Sequence, residues 1–292
     1  MPSLKDLRNR ISSVKSTKKI TSAMKMVAAA KLKRAQENAE KSRPYAQKMK
    51  DVVESLTEKI KGQDFKFGNI ESKKMGDVLV IVCSADRGLC GGFNGSIIKY
   101  TKKFTENLNR EGKSTKFLFV GKKAYQSLRR FYDKSIVDII SDFANPKIEF
   151  DVASSIRDKV FELFFNNEIF ECHLIFTKFN SAISQSVESL KLLPVEKQID
   201  GSTKQENKKS YDFEPDEETL LNEIIPRNIA IQIHSALLEN SASEQGSRMT
   251  AMDNATRNAN DMIDKLTLFY NRSRQALITK ELIEIISGAE AV

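Results

Sequence analysis

Apolar positions follow a helical period at both ends of the chain and a strand-like one in between. From Ser3 to about Lys59 there is one Pro (Pro44) and no Gly, and from Arg227 to about Ser287 no Pro and one Gly (Gly246). These stretches read as helices of about 55 to 60 residues, each about 80 to 90 Å long. Helices of that length survive in water by lying against another helix. In the C-terminal one, Met252, Ala255, Ala259, Met262, Leu266, Phe269, Ser273, Ala276, Lys280 and Ile283 alternate steps of three and four, and only Ser273 and Lys280 are polar. Sustained spacing of this kind predicts a left-handed coiled coil. The N-terminal segment opens in the same way with Leu4, Leu7, Ile11 and Val14. It then drifts: Lys18, Thr21 and Lys25 take the next stripe positions while Ile20, Met24 and Val27 hold the apolar face. Ala28, Leu32, Ala35 and Ala39 resume the first stripe. One chain supplying both helices around an inserted domain predicts an intramolecular antiparallel pair. The alternative, two amphipathic helices covering a large core, is disfavoured because nothing between them reads as big enough to cover.

Between the ends the pattern changes. A segment with Gly62, Gly68 and Gly76 leads into Val78–Cys83, a short β-branched run that reads as a buried strand. Helices are predicted at about Asn94–Asn109, Lys122–Tyr132 and Val152–Asn166, and strands at Lys116–Val120, Ile136–Ile140, Glu171–Phe179 and Val187–Leu193. That alternation predicts an α/β layer with a mostly parallel sheet. Asp200–Lys209 reads as a polar surface loop. Glu214-Pro215-Asp216-Glu217-Glu218 reads as a helix start with acids at its positive end, and Pro226 is expected to break that helix from the long one. The domain boundaries drawn from this are 1–60, 76–200 and 215–292.

Composition narrows the class. The 40% apolar and 29% charged content lean toward exposed surface, as long paired helices require. No apolar run approaches the 18 residues of a membrane span. The start, Met-Pro-Ser-Leu-Lys-Asp, enters the helix directly, without the pattern of a signal peptide or an organelle presequence. Cys83, Cys90 and Cys172 lack metal-ligand spacing and read as reduced, structural thiols of a cytoplasmic protein. Charge is uneven. Lys5, Arg8, Arg10, Lys15, Lys18, Lys19, Lys25, Lys31, Lys33 and Arg34 face Asp6 alone within residues 1–34, a net +9 against +8 for the whole chain. A basic helix invites a nucleic-acid reading. No aromatic is interleaved with these cations and no recognised binding motif is present, so a shaft facing an acidic protein surface is the preferred reading.

The tempting chemical signal is Arg87-Gly88-Leu89-Cys90-Gly91-Gly92-Phe93-Asn94-Gly95, which follows the first strand and opens a helix. Phosphates bind at such turns in dinucleotide and P-loop folds. The spacing G-x-x-G-G-x-x-G matches neither fingerprint. A structural turn, with glycines allowing a tight bend and close helix–sheet packing, is the preferred reading. No nucleophile–base set, carboxylate pair or metal cluster stands out, so the sequence offers no active site of its own.

Several of these segments resemble one family, the gamma subunits of bacterial F-type ATP synthases. Ile20-Thr21-Ser22-Ala23-Met24-Lys25-Met26-Val27-Ala28-Ala29 resembles its N-terminal helix, and Asp86-Arg87-Gly88-Leu89-Cys90-Gly91-Gly92 its central turn. Glu239-Asn240-Ser241-Ala242-Ser243-Glu244-Gln245 with Arg248-Met249, then Tyr270-Asn271-Arg272-Ser273-Arg274-Gln275 and Ile278-Thr279-Lys280-Glu281-Leu282, resemble its C-terminal helix. The match runs from end to end and is weakest over Lys191–Thr219. No chloroplast-type insertion with a regulatory cysteine pair is present.

The resemblance implies an α/β protein with a long antiparallel coiled coil and a central Rossmann-like domain. It implies a rotary shaft inside a ring of alpha and beta subunits, with the α/β domain against the epsilon subunit and the membrane c-ring. The chain itself is implied to be non-catalytic, to carry no cofactor and to bind no nucleic acid, with ATP, ADP and Mg²⁺ held by its partners. It is implied to lie at the cytoplasmic face of a bacterial inner membrane. Met24, Arg248, Arg274, Gln275, Thr279 and Glu281 resemble positions that meet the catalytic subunit, and Leu282–Val292 an axle tip in an apolar sleeve. Two rival classes predict other behaviour: a basic coiled coil on nucleic acid, and a nucleotide-dependent enzyme using the Gly-rich turn.

Overall fold

The computed structural model describes residues 3–59, 77–143, 147–195 and 217–290. The loops expected around Gly62–Gly76 and Asp200–Lys209, and the acids at Glu214–Asp216, lie outside the described residues. Two compact units divide the chain: Met1–Ala30 with Arg248–Val292, and Lys31–Ser247.

In order, the elements are α1 (Leu4–Lys59), β1 (Asp77–Cys83), α2 (Phe93–Arg110), β2 (Thr115–Val120), α3 (Lys122–Tyr132), β3 (Ile136–Ile140), α4 (Phe150–Phe165), β4 (Ile169–Phe179), β5 (Gln185–Leu193) and α5 (Glu217–Glu290). Within residues 31–247 the strands form one sheet in the order β3-β2-β1-β4-β5. Its first four strands are parallel, and β5 returns antiparallel to β4 through a short hairpin.

The unbroken apolar run of β1 reflects its central place. Val78, Val80 and Val82 enter a core shared with α2 and α3, while Leu79, Ile81 and Cys83 enter one shared with α4 and α5. A strand buried on both faces has no polar alternation to show.

The second of these cores changes the reading of the C-terminal helix. Ile225, Ile229, Ile233, Ala236 and Leu237 of α5, spaced along one helical face, are buried among Ile156, Val160, Leu174 and Leu193. There is thus something for this helix to cover: its first third forms a layer of the α/β unit. The break expected at Pro226 does not occur, since α5 runs through it. Proline forfeits one backbone bond. The isoleucines on either side are packed into the core, and that tertiary contact holds the helix where propensity opposes it.

In the unit built from residues 1–30 and 248–292, the N-terminal helix packs antiparallel against the C-terminal one. Leu7, Thr21 and Ala28 of one helix and Met252 and Ala259 of the other are buried. The drift expected in the N-terminal stripe is absent. Lys18, Thr21 and Lys25 stay on the packed face, while Ile20 and Val27 are 60% and 57% exposed. Thr21 and Lys25 hold there because the facing helix supplies polar partners, Thr256 and Asp253.

Candidate partner-contact surfaces

Three side-chain contacts fix the register of the two-helix unit. Lys25 Nζ lies 2.6 Å from Asp253 Oδ1. Thr256 Oγ1 donates to Thr21 Oγ1 at 2.8 Å, and Arg8 Nη2 donates to the Tyr270 hydroxyl at 3.1 Å, with its guanidinium 6.0 Å from the ring centre. Each backward step on α1 is matched by a forward step on α5. The hydrogen bond from Arg8 lowers the pKa of Tyr270. The bond from Lys25, and then that from Arg257, holds Asp253 below the usual carboxylate range. α1 begins at Leu4, so residues of α5 well past Tyr270 run beyond its helical partner. There Leu277, Ile278, Leu282, Ile283, Ile285 and Ile286 are 47 to 68% exposed. An apolar surface this dense is a binding surface by its physics.

The residues singled out by resemblance all fall in this unit. Met24 and Arg248 are half-buried, whereas Arg274, Gln275, Thr279 and Glu281 are exposed on the last turns of α5. The Thr279 hydroxyl donates to the Gln275 carbonyl at 2.9 Å, which turns it along the helix. Beside Met24, the structure adds Ile20, Met26 and Val27 as exposed apolar neighbours. The exposure of Ile20 and Val27 is hidden in the sequence because their spacing imitates a seam.

The Gly-rich turn is held by its own residues. Asn94 accepts the Ala85 N–H on Oδ1 (3.1 Å) and donates to Cys90 Sγ (3.1 Å). Leu89 and Gly91 adopt φ of 63° and 57°. A Cβ at Gly88, Gly92 or Gly95 would meet nothing within 4 Å, so close helix–sheet packing is not what selects them. Asp86 ties three loops together, accepting the Lys122 N–H on one oxygen (3.1 Å) and the Asp142 N–H on the other (3.0 Å). A tighter glycine lies outside the Gly-rich turn: at Gly121, with φ 102°, a Cβ would lie 2.2 Å from the Ser84 carbonyl oxygen.

In open α/β sheets, ligands bind at the carboxyl ends of the strands where the strand order reverses. Here that point lies between β1 and β4, and α5 fills it. β1 pairs with β4 only as far as Val82 opposite Ile175. Beyond it, Thr177 N–H donates to Asn240 Oδ1 (3.2 Å), Ser243 Oγ donates to the Thr177 carbonyl (3.0 Å), and Phe179 N–H donates to Glu239 Oε2 (3.0 Å). The other oxygen of Glu239 takes two bonds from Arg43, at 3.0 and 2.6 Å. The Glu239–Gln245 segment thereby acquires a physical meaning: its polar side chains finish the open edge of β4. Among the described residues no group of acids, cysteines and histidines could hold a metal ion, and no helix is long and apolar enough to cross a membrane.

A family model described as ATP synthase matches residues 3–292. The chain is 50% identical over 294 residues to the ATP synthase gamma chain of Sinorhizobium medicae and 48% identical over 297 residues to that of Pelagibacter ubique. Both alignments cover the whole of this chain and the whole of the relative. Among solved structures it is similar to a chain of the central stalk and c-ring of Tetrahymena thermophila mitochondrial ATP synthase. The TM-score is 0.60 and the identity 29%, covering 81% of this chain and 99% of that one.

Proposed function

The chain belongs to the ATP synthase gamma-chain family, and on that footing we propose how its parts act within the central stalk. It is the non-catalytic shaft of an F-type ATP synthase, coupling flow through the membrane rotor ring to synthesis or hydrolysis of ATP on the surrounding subunits. Its partners are the alpha and beta subunits of the catalytic ring, the epsilon subunit and the c-ring.

Within that frame, the unit of residues 1–30 and 248–292 is the part that turns inside the ring. Met24, Arg248, Arg274, Gln275, Thr279 and Glu281 meet the catalytic subunit, and an Arg such as Arg274 is suited to bidentate pairing with carboxylates. The observation that carries this reading is the run of α5 beyond Tyr270, where exposed isoleucines and leucines continue without a facing helix. Apolar residues that dense are retained where a partner covers them. An asymmetric shaft biases each catalytic subunit through different contacts, and only differential contact shifts a conformational equilibrium. ATP, ADP and Mg²⁺ bind to the partners. This is supported by the α5 side chains that fill the sheet's reversal point. The complex is membrane-bound, and the chain is peripheral, on the cytoplasmic face of a bacterial inner membrane. Bacterial relatives of matching length support that placement.

The test is co-purification of the tagged chain from gently solubilised membranes. One copy with three each of two nucleotide-binding subunits and ATPase activity is the expected result. A chain recovered alone, or on nucleic acid, overturns the reading.

A further inference from the structure

One face of α5 within residues 31–247 is polar where its neighbours are apolar. Glu239, Asn240, Ser243 and Ser247 recur at helical spacing and all point at the β4–β5 end of the sheet. Glu239, Asn240 and Ser243 are buried, at 7, 2 and 0% exposure. Ser247 Oγ donates to Gln185 Oε1 on β5 at 3.0 Å. Between them Gly246 lets the hairpin approach, since a Cβ there would meet the Phe179 ring at 3.3 Å. From the far side, Arg43 of α1 clamps Glu239 with its two bonds.

We infer that this Arg43–Glu239–Asn240–Ser243–Ser247 set is a torque latch: it locks residues 217–247 of α5 to the sheet against twisting, so that this stretch of the helix and the sheet turn together. The inference rests on the proposed role as a shaft. The isoleucines of α5 hold the helix onto the sheet, but apolar contact is non-directional and tolerates sliding and rotation about the helix axis. Hydrogen bonds are directional and are lost within about 1 Å of displacement. At a helix radius of about 5 Å that displacement is a twist of about 10°. Three of the bonds end on backbone atoms of Thr177 and Phe179, which the sheet itself fixes, and these three join the helix to a rigid anchor and not to another side chain. Glu239 bridges sheet and Arg43, tying α1, α5 and β4 at one point.

The experiment uses the assembled complex in inverted membrane vesicles and measures ATP-driven proton pumping against ATP hydrolysis, both normalised to assembled complexes. For Glu239→Ala with Asn240→Ala, hydrolysis persists and the pumping-to-hydrolysis ratio falls by at least about fivefold, the equilibrium factor of one net hydrogen bond. Glu239→Gln, which keeps an acceptor for the Phe179 N–H, recovers most of the ratio. A merely structural role would lower the number of assembled complexes and leave the ratio per complex unchanged, and that result overturns the latch. Should the double variant not assemble, Ser243→Ala with Ser247→Ala, which removes only hydroxyls, is read in the same way. Failure of the unaltered chain to co-purify with the catalytic ring would instead overturn the shaft reading.

Discussion

Lys25 and Asp253 face each other across the helix pair with Nζ and Oδ1 2.6 Å apart, at a seam position where a heptad favours an apolar residue. Both are partly open to solvent, and Arg257 also bonds Asp253. The pair therefore specifies register more than it stabilises. A double-mutant cycle on Lys25→Ala and Asp253→Ala, followed by urea unfolding, is expected to give a small coupling that high salt erases. The depressed pKa of Asp253 sets the sign with pH: the coupling is present above the usual carboxylate range and fades as acid protonates Asp253. A coupling indifferent to salt would show a desolvated pair and contradict this account.

Glu171 is an acid-sensitive point of the α/β unit. Its carboxylate takes contacts from His173 (3.0 Å), Lys113 (3.1 Å) and Lys191 (3.1 Å), and its pKa falls from 4.5 to about 2, with the His173 bond as the largest cause. A depressed carboxylate pKa contributes stability that is full above the unfolded value and is lost as pH falls from 4.5 toward about 2. Glu171→Gln should cost about 1 to 3 kcal/mol near pH 7. Its denaturation midpoint should then vary less with pH across that window than the parent's. Equal acid sensitivity in the two chains would place the titrating group elsewhere.

Gly121 admits no side chain. Its φ of 102° and the 2.2 Å that would separate a Cβ from the Ser84 carbonyl oxygen act together. Gly121→Ala should destabilise the chain by at least about 3 kcal/mol, through strain plus displacement of the β1–α2 loop. Chemical unfolding of Gly121→Ala beside Gly95→Ala, where a Cβ meets open space, separates the two cases. Similar losses at both would show that local packing does not set the cost.

All three cysteines are buried, and none forms a disulfide. Burial pushes the Cys83 thiol up to about 12 and raises Cys172 as well, with Glu171 adding to the rise. Reactive cysteines are thiolates. A thiol reagent at pH 8 should leave the folded chain unlabelled and modify all three after denaturation. Rapid labelling of the folded chain would point to opening of the sheet interior or of the turn that holds Cys90.

The parts of this fold that are legible in the sequence are those governed by local pattern. The limits of α3 and β3 follow from punctuation at Gly121 and Ser135, and the double burial of β1 from its unbroken apolar run. What is not legible depends on a distant partner. Thr21 and Lys25 look like a break in the stripe because Thr256 and Asp253 lie more than two hundred residues away. Pro226 looks like a stop because nothing local shows that Ile225 and Ile229 enter the core of a sheet. The polar face Glu239–Asn240–Ser243 can be recognised as a motif, but its reason, the edge of β4 that runs on past β1, exists only in three dimensions.

The end of α5 yields the last prediction. Leu277, Ile278, Leu282, Ile283, Ile285 and Ile286 are exposed and lie past Tyr270, the last residue seen bonded to α1. Their removal takes away little buried apolar surface, so it should leave the unfolding of the α/β unit unchanged. It should weaken the hold of the shaft on its ring, which is a loss of binding surface and not of fold. Truncation after Gln275 should therefore give a chain with the parental urea midpoint. Complexes containing it should still hydrolyse ATP but deliver less torque to a bead attached to the rotor. A truncated chain whose central unit unfolds more easily would mean that the tip supports the fold, and full torque would mean that the catalytic ring grips the shaft elsewhere.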